Sequence, residues 1–193
     1  MATKTLRTNV NQAVQDFDNI KQAIIDKGVE IPNGTPTSEY ATKIGDIQSG
    51  GGFDTSEISD FSYFGQNDRF TYEQLEKLDT SNGTDFSSMF RDCKALTESP
   101  VSDTSNGTNF GSMFNSCSSL TSIPQLDTSK GTDFSSMFNS CSKLTSVPQL
   151  DTSKGTSFGS MFYNCWSLTD IPQLNTSKGT SFSQMFCNCN KLT

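Results

Sequence analysis

A fixed period of 24 residues outranks every other signal in this chain. Gly83, Gly107, Gly131, Gly155 and Gly179 coincide under that shift. So do Met89, Met113, Met137, Met161 and Met185, each followed by phenylalanine. Leu96, Leu120, Leu144, Leu168 and Leu192 form another series, and Pro100, Pro124, Pro148 and Pro172 a fourth. Asp79-Thr-Ser recurs at 103, 127 and 151 and returns as Asn175-Thr-Ser. A degenerate earlier copy begins at Phe53, at an offset of 25, with one residue extra between Gly65 and Thr71. It lacks the repeat cysteine, as atypical terminal units that cap an array often do. The repeat region is therefore 53–193: a degenerate unit at 53–77, regular units from 78, and an incomplete last unit.

Within one unit, Phe134, Met137, Phe138 and Cys141 stand at i, i+3, i+4 and i+7, which predicts one face of a short helix. Thr132 is its expected N-cap, with Asp133 in the first turn. Gly131 is expected to supply a turn at positive φ. Leu144 and Val147 read as a short strand that Pro148 ends. The expected fold is an α/β repeat solenoid of 24-residue units, each a short helix plus a short strand. Only 32% of residues are hydrophobic, while Ser and Thr supply 52 of 193. One unit alone cannot bury enough apolar surface to fold, so the units must stack and turn single Phe, Met, Cys and Leu residues into continuous columns.

The repeat Phe-x-x-Met-Phe-x-x-Cys-x-x-Leu-x-x-Val/Ile-Pro with Asp-Thr-Ser resembles the BspA-type leucine-rich repeats over 53–193. It departs from their common wording in Phe after the Thr-Asp pair and in Lys-Gly or Asn-Gly at the turn. The resemblance implies a leucine-rich-repeat solenoid that binds other surfaces without catalysis. Such repeats occur in bacterial and mycoplasmal surface proteins and in phage structural proteins.

Upstream, Val10, Ala13, Phe17, Ile20 and Ile24 are spaced by 3, 4, 3 and 4, the a/d seam of about two heptads. Gly28 follows as a C-cap. Residues 1–48 are expected to be a small helical, coiled-coil-competent region for anchoring or oligomerisation. The seam either folds back on Tyr40, Ile44 and Ile47 or pairs with other copies, a trimer among them. Ser49 to Gly52 reads as a Gly-rich linker. The phrase from Ile20 to Pro32, with Gly34-Thr and Tyr40 to Ile47, is similar to a segment of phage tail, baseplate and fibre proteins. That resemblance implies a virion protein.

Charge and chemistry narrow the function further. A net charge of −7 argues against nucleic acid as a partner. No apolar run is long enough to insert in a membrane, and Met1 to Arg7 has no apolar stretch behind it, so no export signal is expected. Histidine is absent, which removes the commonest general base and the Ser-His and Cys-His pairs. No enzyme, cofactor or metal site is expected. Cys93, Cys117, Cys141, Cys165 and Cys189 are repeat positions and read as buried free thiols, with Cys187 outside that series.

Tyr163 and Trp166 occupy variable positions and are the candidate receptor-contact residues, with packing on neighbouring coils as the alternative. The Asp79, Asp103, Asp127 and Asp151 column needs compensation. Hydrogen bonds to turn amides provide it, and a bound cation is the alternative, though calcium would find few strong ligands. Asn82-Gly-Thr and Asn106-Gly-Thr read as turns. The incomplete last unit is expected to leave an apolar end open.

The expected function is that of a bacteriophage virion fibre, spike or receptor-binding component. It would be held by other virion proteins and by its own copies, and would bind a host surface protein or glycan. A bacterial surface adhesin or interaction scaffold is the alternative.

Overall fold

The computed structural model describes residues 55–193, apart from Glu57, Arg69, Lys77 and Ser102. They belong to one unit of the chain, Asp54–Thr193. The seam of Val10, Ala13, Phe17, Ile20 and Ile24, the Tyr40–Ile47 stretch, the Gly-rich linker and the phage-like phrase lie outside the described residues.

Successive repeats lie one upon the next in parallel register. Bridges join Asp60 to Asp85, Asp85 to Asn109, Asn109 to Asp133, Asp133 to Ser157, and Ser157 to Ser181. The inward residues then meet their own copies. Phe86, Phe110, Phe134 and Phe158 stack in one column with ring centroids 5.7–5.8 Å apart. Phe90, Phe114, Phe138 and Phe162 form a second at 5.5–5.7 Å. Met113, Met137, Met161, Leu120, Leu144 and Leu168 are fully buried between and beside them.

The backbone between Phe134 and Cys141 is a run of turns, where the apolar pattern predicts a helix. Ser136 and Ser140 have φ of 54° and 60°, in the left-handed region that no α-helix visits. The same pair recurs as Ser112 and Ser116, and as Ser160 and Asn164. The chain thus repeats a four-residue turn, and Phe134 and Phe138 open successive turns on one face. A four-residue turn and a helix share the i, i+3, i+4, i+7 pattern, so side-chain spacing alone does not separate them.

Hydrogen bonding explains the choice. The N–H groups of Phe134, Ser136, Phe138 and Ser140 donate to Ser157, Gly159, Met161 and Tyr163 of the next coil at 2.7–2.9 Å. The alternate groups, Met137, Asn139 and Cys141, donate three residues back along the same coil. Ser135 N donates to the Asp133 carboxylate at 2.8 Å. Every N–H from Phe134 to Cys141 is therefore satisfied, half of them by the neighbouring coil. A helix would satisfy its N–H groups internally and leave nothing to join the coils.

Each onward donor shares its peptide plane with a carbonyl that accepts from the preceding coil. Phe110 N donates to Asp133 O, and Phe134 N to Ser157 O. Four such peptide columns run through the stack with their N–H ends all toward the C-terminal coil. Other inter-coil bonds run the opposite way: Thr108, Thr132 and Thr156 each donate to the threonine one coil earlier at 2.8 Å, and Thr121 and Thr169 donate to Thr97 and Thr145 at 2.9 and 3.0 Å. β-Sheets ordinarily cancel their peptide dipoles; here the majority add. The last coil holds the outward ends of the four columns, the N–H groups of Phe182, Gln184, Phe186 and Asn188, and the rings of Phe182 and Phe186 are 42% and 39% exposed.

The expected Leu144–Val147 strand is irregular backbone in the structure. Regular helix among the described residues is confined to the degenerate first unit, as a 3-10 turn at Gln66–Asp68 and one α-turn at Tyr72–Leu75. There Asp68 stands one 25-residue offset before Cys93, and its carboxylate accepts from Lys94 N at 2.9 Å. A carboxylate in the first coil thus satisfies an amide of the second. Gly131 differs from its expected role as well. Its φ lies outside the left-handed region, and a Cβ built there would sit 2.5 Å from the Phe134 ring. Glycine is needed to let a phenylalanine ring close over the turn, while serines hold the positive φ.

Candidate functional site

The stack presents one interior column with reactive chemistry and two kinds of outer surface. In the interior, each repeat cysteine donates its thiol to a carbonyl of the preceding coil. Cys117 reaches Phe90 O at 2.9 Å, Cys141 reaches Phe114 O at 3.1 Å, and Cys165 reaches Phe138 O at 3.0 Å. Cysteine suits this position because it is small, apolar and still a weak donor. All six cysteines are free thiols. Burial pushes the Cys93 thiol up to about 11 and Cys165 up to about 12, and raises Cys117 and Cys141 well above the ordinary 9.0.

The linkage has a definite sign. Unfolded thiols ionise near pH 9.0, while the folded column stays neutral. The stability they carry is complete below pH 9.0 and is lost as pH rises toward about 11 to 12. Thermal unfolding is therefore expected to be steady from pH 7 to 8.5 and to fall sharply by about pH 10.5. Thiol labelling of the native protein at about pH 8 should modify exposed Cys187 first and partly exposed Cys189 next, with the buried four reacting only on unfolding. Equal rates at all six would show that the column is open to solvent.

Tyr163 and Trp166 lie on one coil but in different columns. Tyr163 is half-buried, in line with Arg91, Asn115, Asn139 and Cys187. Its carbonyl accepts from Ser140 N at 2.7 Å. Trp166, in line with Lys94, Ser118 and Ser142, is 52% exposed. Packing on the neighbouring coils leaves half of the indole in solvent.

A second surface was not singled out from the sequence. A trough of about 840 Å³ crosses several coils, lined by Asp103, Asp127 and Asp151 and by Gln125, Gln149 and Gln173. Leu126 and Leu150, each 1% exposed, form part of its floor. The recurring Pro-Gln-Leu at 124, 148 and 172 was its signal in the sequence.

The aspartates hold turns. Oδ1 of Asp103, Asp127 and Asp151 accepts from the amide two residues on at 2.9–3.0 Å. The Ser129 amide, then its hydroxyl, holds the Asp127 carboxyl below its ordinary range. For Asp151 the Ser153 hydroxyl is the larger cause and the amide the second. Asn175 makes the same turn with Ser177 N at 3.1 Å, so the amide side chain can replace the carboxylate without losing it. The buried threonines below, Thr104, Thr128 and Thr152, donate to the backbone carbonyls of Asp127, Asp151 and Asn175, each at 2.9 Å. Among the described residues, no group of three His, Cys, Asp or Glu side chains is placed to hold a metal ion, and no helix is long and apolar enough to cross a membrane.

No curated protein and no solved structure matches the chain. Two overlapping stretches, residues 37–146 and 101–193, match a single protein family, and that match is compatible with the BspA-type character of the repeats. With well over half its length matched, the chain belongs to the family described as Mycoplasma protein of unknown function, DUF285.

Proposed function

We propose that residues 53–193 form a leucine-rich-repeat-type solenoid that works as a non-catalytic binding module, and that the whole chain is a bacteriophage fibre, spike or receptor-binding component. In this reading the N-terminal region anchors and oligomerises through Val10, Ala13, Phe17, Ile20 and Ile24. The repeats face the host. The observation that carries the binding role is the division of labour within each coil. Backbone amides and inward rings are committed to the stack, so positions such as Tyr163 and Trp166 vary without disturbing it. Several copies on one particle would add weak contacts by avidity. The absence of histidine from the whole sequence favours binding over acid–base catalysis.

The virion assignment rests on the resemblance of the N-terminal phrase to tail and fibre proteins. Particles lacking this protein, imaged by negative stain, should lose a projection and adsorb to host cells at least about tenfold more slowly, a loss of avidity. Unchanged particles with unchanged adsorption would overturn the assignment. The family description names mycoplasma proteins, and this favours a second reading, a bacterial surface adhesin or interaction scaffold. Antibody labelling of the protein on intact, uninfected cells would support that reading instead.

A further inference from the structure

We propose that Tyr163 and Trp166 form the aromatic platform of a site for a neutral oligosaccharide. The site belongs to the binding-module reading above, rests on it, and gives its ligand a chemical class.

Backbone geometry makes the two rings neighbours on one ridge. Three successive turns close where Met161 N donates to Phe158 O at 3.2 Å, Cys165 N to Phe162 O at 3.1 Å, and Leu168 N to Cys165 O at 3.2 Å. The residues that open and close these turns are fully buried. Their second residues, Gly159, Tyr163 and Trp166, lie on the outer side, and half of the Trp166 indole is in solvent. Three residues of chain extend at most about 11 Å, so both rings fall within reach of one short oligosaccharide. Gly159 leaves a notch one turn before the tyrosine, where a Cβ would meet Ser181 Oγ at 3.3 Å and Ser183 O at 3.7 Å. In the coil before, Ser135 occupies that place.

The rings stand in polar, uncharged surroundings. At the positions of Tyr163 and Trp166 the coil before carries Asn139 and Ser142, and the coil after carries Cys187 and Asn190. None of the four is charged, in a chain of net charge −7. None is aromatic or aliphatic either, so the rings are not extended into the apolar centre that a protein interface buries. The amides nearby both give and take hydrogen bonds. Asn139 Oδ1 accepts from Ser140 Oγ at 2.8 Å, which leaves its Nδ2 hydrogens for a ligand. Asn188 Nδ2 donates to Asn164 Oδ1 at 2.7 Å, which leaves donors on Asn164 and an acceptor on Asn188.

A sugar ring answers this combination. Each of its hydroxyls is a donor and an acceptor at once, so it needs a surface that offers both, as the asparagines do. Its C–H bonds are weakly positive at hydrogen and stack on the negative face of an aromatic ring. A charged ligand would give up hydration at these positions without meeting an opposite charge. Lys143 and Lys191 sit one position beyond the indole column, where the coil that carries the rings has Ser167. Acidic sugars are therefore the control that separates a lysine contact from ring stacking.

The test applies the full chain to an array of neutral oligosaccharides of hexoses and N-acetylhexosamines, with sialylated and sulfated oligosaccharides as controls. Saturable binding to at least one neutral sugar is expected, with the acidic ones at least about tenfold weaker. That neutral sugar is then titrated while tryptophan emission is read. Trp166 is the single tryptophan of the chain, so the emission should shift to the blue and saturate as the indole is covered. Trp166→Ser and Tyr163→Asn bring in what the coil before carries at the same places, Ser142 and Asn139. Each variant should bind at least about tenfold more weakly with an unchanged melting temperature. No saturable binding to a neutral sugar, equal or tighter binding of the acidic ones, unchanged emission, or unchanged affinity in both variants would overturn the proposal. If no sugar binds while attachment to host cells is lost both on protease treatment of the cells and with Trp166→Ser, the ligand is a protein and only the sugar assignment falls. If the sugar binds through Trp166 while particles lacking the protein adsorb normally, only the host-attachment reading is lost.

Discussion

Replacing Phe138 by alanine is expected to destabilise the repeat array by about 3–5 kcal/mol, the usual cost of emptying a buried phenylalanine site. The ring is fully buried between Phe114 at 5.7 Å and Phe162 at 5.5 Å. Two stacking contacts are lost as well, at ~0.5–1.5 kcal/mol each. Its neighbours cannot close the gap, because the amides of Ser136, Phe138 and Ser140 donate to the next coil and those of Ser112, Phe114 and Ser116 donate to this one, which holds the coil spacing on both sides. Position in the array should matter as much as residue type. Phe182 is 42% exposed and, among the described residues, stacks only on Phe158. Phe182→Ala is therefore expected to cost about 1–2 kcal/mol, less than full burial of such a side chain contributes. Urea unfolding of the two variants measures the difference. Stability in a stack is a sum of unit and nearest-neighbour terms, so the central variant should also lose cooperativity, seen as a broader transition. Equal midpoints for the two would rule out columnar packing as the source of stability.

Gly131→Ala is expected to cost about 3 kcal/mol or more, at the upper end of overpacking effects. The added methyl would lie 2.5 Å from Phe134 Cζ, 3.0 Å from Thr128 O and 3.1 Å from Phe110 Cδ2. Phe134 cannot tilt aside, since Phe110 and Phe158 flank it at 5.7 Å on both faces. Gly111→Ala is the matched control. There the nearest atoms are carboxylate and amide oxygens at 3.2–3.3 Å, which can swing away. Ser87 and Ser135 already occupy the equivalent place in neighbouring coils. A cost within about 1 kcal/mol is expected for it. Thermal melts of both variants decide the matter. Similar losses at the two positions would mean that backbone freedom, not ring clearance, is what selects glycine at 131.

Much of this was legible in the residues themselves. The 24-residue period identified which side chains share a column, and from Phe86 to Leu168 the Phe, Met, Cys and Leu series of the sequence are the buried columns of the described structure. The turn role of Asp127 and Asp151 was readable from Asp-Thr-Ser, because a short carboxylate beside a turn has amides within reach. Trp166 was conspicuous as the single tryptophan at a variable position. The Gln125, Gln149 and Gln173 column was overlooked. A surface glutamine announces nothing until its amide hydrogens are seen to point inward.

The amino-acid order by itself determined the repeat, its register and the identity of the buried face, since a period carries that information whatever path the backbone takes. Only the tertiary structure decided the backbone. A helix and a chain of four-residue turns bury Phe134, Met137, Phe138 and Cys141 equally well. The turns prevail because they release alternate amides to the adjacent coil, and Ser136 and Ser140 accept a left-handed φ for the sake of bonds that exist only when a neighbouring coil is present.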